Sequence, residues 1–180
     1  MANLHQYPAK ICLTVAAVMI QENRVLLIKH KKLSMWLNPG GHVEANELPH
    51  VAAEREYWEE TGIKVKAINW QKLADTQSEF LPNPVATNLH WVSQENFNKR
   101  VADPENYKIE GKWQRGCEQH LNFLYLVEPI DSVDFTQNKE ETVGIQWFDL
   151  DKLDEYDLVS DIKTDLRVAR EVYQAYVQTK

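Results

Sequence analysis

Hydrophobic and polar positions alternate in blocks along the first thirty residues. From Ile11 to Ile20 every residue but Thr14 is apolar, then Gln21-Glu22-Asn23-Arg24 is polar, and Val25 to Ile28 is apolar again. Two short apolar runs around a four-residue polar turn predict a hairpin with strands at about 11–20 and 24–30. A loop containing glycine follows near 38–46, then a helix near 47–61. Further strands are expected near 63–70, 85–92, 119–127 and 142–148. A short helix is expected at 149–156. Val168, Val172, Ala175 and Tyr176 recur at helical spacing, which predicts a terminal helix near 162–178. Residues 94–117 are polar, with Pro104, Gly111 and Gly116, and read as an insertion or long loop. Interleaved helices and antiparallel strands predict an α/β fold, a mixed sheet flanked by helices in one domain over 1–180.

Composition narrows the class. The chain has 180 residues, 43% hydrophobic and 26% charged, which excludes a disordered or collagen-like chain. The formal net charge is −7, so broad electrostatic attraction to nucleic acid is not expected. The apolar run at 11–20 is about half the length a spanning helix needs, and no membrane association is expected. Cys12 and Cys117 form no CxxC pair. Two cysteines cannot build a disulfide scaffold, so reduced thiols and a cytoplasmic location are the expectation.

The chemistry concentrates between Asn38 and Ile63. From residue 44 to 60 there are six glutamates (44, 47, 54, 56, 59, 60) and one arginine, Arg55. Helix signals are nonetheless present: Asn46 as a capping residue, Pro49 in the first turn, Gly62 at the C-terminal end. At about 100° per residue, Glu56, Glu59 and Glu60 share an arc of about 100°, with Ala52 and Ala53 on the same side. Glu54 and Glu47 fall nearly opposite. Small residues let that face lie close to a sheet. Three partly desolvated carboxylates need a counter-charge, and a hard divalent cation, Mg²⁺ or Mn²⁺, would supply it. A Glu-rich helix face is otherwise usually solvated. Against that reading stand Arg55 beside the triad and the Gly40-Gly41 turn just upstream, where glycine permits close approach of a ligand.

The order Gly41, five residues, Glu47, seven residues, Arg55-Glu56-Tyr57, one residue, Glu59-Glu60, one residue, Gly62-Ile63 resembles the signature of the Nudix hydrolases. The lead-in Trp36-Leu37-Asn38-Pro39-Gly40-Gly41 resembles the family's as well. Only Tyr57 departs, where an aliphatic residue is usual. The resemblance implies an α/β/α sandwich and hydrolysis of a nucleoside diphosphate linked to another group. It implies that Glu56, Glu59 and Glu60, with the Gly40 carbonyl, bind the metal. Arg55 would orient the glutamates, and Gly41, Glu47 and Gly62 would be structural. Family members often place one more acid before a late strand. Glu141 is the candidate here, with Glu140 and Glu118 as competitors.

Other residues carry weaker expectations. Trp36, Trp91, Tyr107 and Trp113 could stack on a base, although packing is the commoner use of such rings. Lys99, Arg100, Lys108, Lys112 and Arg115 give the 94–117 segment positive charge, and Lys112 and Arg115 are its candidates for substrate contact. His42 and His50 lie near the motif. The expected partner is a small diphosphate, nucleotide-like, with a homodimer as the family-level expectation. A non-nucleotide diphosphate hydrolase or isomerase and a non-catalytic nucleotide-sensing module are the alternatives.

Overall fold

In the computed structural model, residues 9–71, 77–103 and 116–179 are described. The two leading apolar runs form β1 (Ile11–Gln21) and β2 (Arg24–His30), paired antiparallel. Glu22 and Asn23 between them have φ of 48° and 61°, the positive values that a two-residue turn matching strand twist requires. Short strands β3 (Trp36–Leu37) and β4 (Gly40–His42) follow. β3 extends the sheet beyond β2, while β4 pairs with the first half of β1 through Thr14, Val15 and Ala16.

Helix α1 (Pro49–Thr61) comes next, then β5 (Val65–Ala67), β6 (Ala86–Trp91) and α2 (Gln94–Ala102). The chain ends with β7 (Gln119–Pro129), β8 (Thr142–Asp149), a 3₁₀ turn at Leu150–Lys152 and α3 (Ser160–Gln178). β7 runs parallel to β1 over nine residue pairs, from Ile11 with Gln119 to Met19 with Val127. β5 and β6 pair with the other edge of β7, and β8 pairs with β2.

Strand alternation then assigns the layers. Val15, Ala17 and Met19 of β1, with Tyr125 and Val127 of β7, pack under Ala52, Ala53 and Tyr57 of α1. Val18, Ile20, Leu124 and Leu126 face the other way, onto Ile162, Leu166 and Ala169 of α3. The result is a helix–sheet–helix sandwich around a mixed sheet.

Several expectations need correction. Asn46 does not cap α1: it has φ 65°, and Leu48 takes the N-cap position with no side-chain bond. Pro49 does open the helix, and Gly62 closes it with φ 75° and a 2.7 Å bond to the Trp58 carbonyl. Of the strand expected at 63–70, residues 65–67 are in β5. The 94–117 segment begins as helix α2, and its residues 104–115 lie outside the described residues. The helix expected at 149–156 is a single 3₁₀ turn, because Asp149 accepts from the Asp151 amide and initiates only that turn. The largest correction concerns the cysteines. Cys12 and Cys117 are joined in a disulfide, with Cα atoms 5.7 Å apart across 105 residues of sequence. The parallel register that sets Cys12 beside His120 brings the entry to β7 within reach, a long-range pairing that composition does not reveal.

Candidate metal and active site

The site is assembled from the β4 strand, α1 and the turn before β8. Ala52 and Ala53 are fully buried, so α1 lies close on the sheet and its next turns press acidic side chains against β4. Glu60 is 3% exposed and accepts the Gly40 amide at 2.8 Å. Glu56 sits over Gly41: a Cβ there would fall 2.4 Å from its carboxylate, so any larger residue would push that side chain aside. At Gly40 a Cβ would meet the Val15 carbonyl at 2.2 Å, which ties β4 tightly to β1. Glu59, at the helix edge, is 40% exposed.

Arg55 holds the acids in order. Its Nε and Nη2 donate to the two oxygens of Glu47 at 2.8 and 2.9 Å. Its Nη1 donates to Glu56 at 2.8 Å and to Glu59 at 3.1 Å, and Nη2 also donates to the His42 carbonyl at 3.1 Å. Glu47 precedes the helix rather than lying on its far side. Its Oε2 accepts the Glu44 amide at 2.9 Å, so it pins the loop and Arg55 together. Glu54, which points away from the triad, anchors the β5 amide of Ala67 at 2.9 Å.

The electrostatics separate the acids by role. Hydrogen bonding to Arg55 holds Glu47 below the usual carboxylate range. Burial raises Glu56, partly opposed by Arg55, with Glu59 and Glu141 adding repulsion. Burial pushes Glu60 up to about 8, helped by repulsion from Glu56, Glu141 and Glu59 and opposed by the Gly40 amide. Glu141, in the turn before β8, is therefore close enough to bear on both Glu56 and Glu60. Glu118 is not placed for this role: it is 1% exposed, paired with Arg100 and bonded to the Lys10 amide at 2.8 Å. Glu140 lies in the same exposed turn as Glu141, its amide on the Asn138 side chain at 3.0 Å, and it is absent from the charges acting on Glu56 and Glu60.

The donor set fits a hard dication. Carboxylate oxygens gather along one edge of β4, burial raises Glu56 and pushes Glu60 up to about 8, and Arg55 is the cation shared among Glu47, Glu56 and Glu59. Such a site relaxes when a divalent ion replaces protons as the counter-charge. The glutamates are not fully drawn together. Arg55 pulls Glu56 and Glu59 toward itself and Gly40 pulls Glu60 toward the strand. Among the described residues, the group of three acidic, histidine or cysteine ligand atoms that does lie within 4.8 Å of one another belongs to Cys12, His42 and Cys117.

The remaining candidates are scattered. Trp36 packs edge-on against Phe148 at 5.0 Å and lines a cavity of about 290 Å³ with Lys29, Gln146 and Tyr156; no motif glutamate borders that cavity. Trp91 packs on Phe97. His50 is buried and borders a cleft of about 520 Å³ with Phe123, Tyr125 and Pro82 to Pro84, away from the triad. Lys112 and Arg115, with Tyr107, Lys108 and Trp113, lie outside the described residues. Tyr57 is fully buried with its hydroxyl unpartnered, so its ring serves as an apolar filler. Pattern reading missed the histidine row His42–His120–His90, whose neighbouring rings stack edge-on at 5.0 and 5.4 Å. Three strands contribute one residue each, so no local spacing announces it.

This fold and this motif geometry define a class. The family profile "NUDIX domain" matches residues 10–168, and the chain belongs to the NUDIX hydrolase family. The solved structure of a NUDIX-family hydrolase from Clostridium perfringens superposes with a TM-score of 0.64 at 25% identity, covering 91% of this chain and 96% of that one. A "MutT-like protein" of Streptomyces ambofaciens is 43% identical over 54 residues, 29% of this chain and 35% of the relative. "Phosphatase NudJ" of Escherichia coli is 42% identical over 55 residues, 29% of this chain and 36% of the relative. The chain thus spans about a third of the length of these curated relatives. Among the described residues no helix is long and apolar enough to cross a membrane.

Proposed function

We propose that this protein hydrolyses the diphosphate bond of a nucleoside di- or triphosphate or of a nucleoside diphosphate derivative, using Mg²⁺ or Mn²⁺. The observation that carries the reading is the placement of Glu60, buried, and Glu56, partly buried: both are raised by desolvation and by neighbouring carboxylates, and both are set against the glycine strand β4. Two acids withdrawn from water and raised in this way mark a functional arrangement rather than a stabilising one.

Glu56, Glu59 and Glu60, with the Gly40 carbonyl, would hold the ion, and Glu141 would be the further ligand or base. A bound dication supplies charge neutralisation on the diphosphate oxygens. The protein's own residues supply the rest. Arg55 fixes the carboxylates of Glu56 and Glu59, Glu47 fixes Arg55, and Gly41 keeps the space that Glu56 occupies. Glu60, a carboxylate of raised proton affinity, or Glu141, in the turn beside it, is suited to take a proton from an attacking water. Trp36, Lys112 and Arg115 remain the proposed substrate contacts, and a small nucleotide-like diphosphate the proposed partner. A cytoplasmic location and a homodimer remain expectations of the same reading.

The test is a substrate panel of nucleoside triphosphates, dinucleotides and nucleotide sugars with Mg²⁺ or Mn²⁺, with products identified by mass. Metal-dependent release of monophosphate, phosphate or pyrophosphate supports the proposal. No turnover of any nucleotide, with turnover of a non-nucleotide diphosphate, would transfer the site to the alternative reading. Tight, metal-independent nucleotide binding without turnover would make it a sensing module.

A further inference from the structure

A second ligand cluster lies on the opposite face of the sheet from the glutamates. On β1 the residues of even number face α3, as Val18 and Ile20 do, and Cys12 and Thr14 share that parity. His42 pairs with Thr14 across β4, and Cys117 enters β7 next to them. Cys117 is 2% exposed, and the ligand atoms of Cys12, His42 and Cys117 lie within 4.8 Å of one another. His120 packs edge-on against His42 with ring centres 5.0 Å apart, which fixes the plane of that imidazole.

The distances resemble those of a metal centre. With sulfur ligands at roughly 2.3 Å and nitrogen at roughly 2.0 Å, a tetrahedral ion separates a sulfur from a nitrogen by about 3.5 Å. The Cys117 Sγ and His42 Nε2 are 3.5 Å apart. The two sulfurs are bonded to each other in this structure and would have to part to about 3.8 Å to ligate one ion, a side-chain rotation rather than a strand movement.

We propose that Cys12, Cys117 and His42 form a soft-metal site, for Zn²⁺ or a similar thiophilic dication, which is available only when the Cys12–Cys117 disulfide is reduced. A dithiol, or a phosphine in the test tube, supplies the two electrons. With a phosphine the S–S bond opens to two thiols and the phosphine leaves as its oxide, taking oxygen from water and giving both hydrogens to sulfur. The dication then displaces two thiol protons and takes Nε2 of neutral His42 as third ligand, with water in the fourth position. Disulfide and metal are thus alternative cross-links between β1 and the segment that leads into β7. The inference is independent of the diphosphatase reading, since it uses none of the glutamates. His42 nevertheless joins the two sites, because its carbonyl accepts from Arg55.

The experiment uses Co²⁺ as the probe, added to the full chain after reduction by a phosphine. The proposal expects one equivalent to produce the near-ultraviolet sulfur-to-cobalt charge-transfer band and the intense visible bands of tetrahedral cobalt, both bleached by Zn²⁺. The unreduced protein lacks the charge-transfer band, as does the double variant Cys12→Ser/Cys117→Ser, and His42→Gln binds about tenfold or more weakly. Glu56→Gln/Glu60→Gln retains it, because oxygen ligands give no such transition. Reduced wild-type protein without the band overturns the proposal, as does a band that survives Cys12→Ser/Cys117→Ser or appears without reduction. The comparison of reduced and unreduced wild type requires no variant to fold.

Discussion

Glu60→Gln should move stability and activity in opposite directions. In the metal-free protein Glu60 is almost wholly enclosed and keeps its proton to about pH 8, against an ordinary value of 4.5. The folded state therefore binds more protons than the unfolded chain between those values, and its stability falls as pH rises from about 4.5 to about 8. Full ionisation costs the metal-free fold at most ~5 kcal/mol, with about 2–5 kcal/mol the working range, since Gly40 keeps one good bond to the carboxylate. Glutamine keeps an oxygen for that amide and removes the charge. Chelator-treated Glu60→Gln should therefore melt above wild type at pH 9, by roughly 4–20 °C at about 2–4 °C per kcal/mol for a domain of this size. It should match wild type near pH 4. Added Mg²⁺ should raise the wild-type midpoint and move the variant little, while turnover falls about 10²–10⁴-fold. Thermal melts across pH, with and without chelator, read all of this. A wild-type midpoint flat from pH 5 to 9, or a variant less stable than wild type at pH 9 without metal, would refute the buried-charge argument.

Three further outcomes follow from the same geometry. Arg55→Ala strips the shared cation from Glu47, Glu56 and Glu59 and should lower denaturant stability by about 3 kcal/mol, with a smaller loss when Mg²⁺ is present. Gly41→Ala places a methyl group against the Glu56 carboxylate; activity should drop about a hundredfold or more while far-ultraviolet circular dichroism stays unchanged. Tyr57→Phe removes a buried hydroxyl that has no partner and should leave the denaturation midpoint equal or higher, by up to ~1 kcal/mol.

The sequence by itself determined the local framework. Two apolar blocks around Gln21–Arg24 fixed the first hairpin, and Pro49 and Gly62 fixed the ends of α1. Helical geometry then put Glu56, Glu59 and Glu60 on the side of Ala52 and Ala53. These are decided by neighbours within a few residues, where period and steric rules operate. Tertiary structure decided what each side chain became. Glu118 and Glu141 are both acids just before a strand. Yet one is sealed under Arg100 and the other lies by the triad, because β7 is central in the sheet and the turn before β8 is open. Asn46 carries the right chemistry for a cap and lost it to the left-handed turn that delivers Glu47 to Arg55. Cys12 and Cys117 are 105 residues apart and meet only because β1 and β7 run parallel side by side. The histidine row arises in the same way, from three strands whose register no single stretch of chain contains.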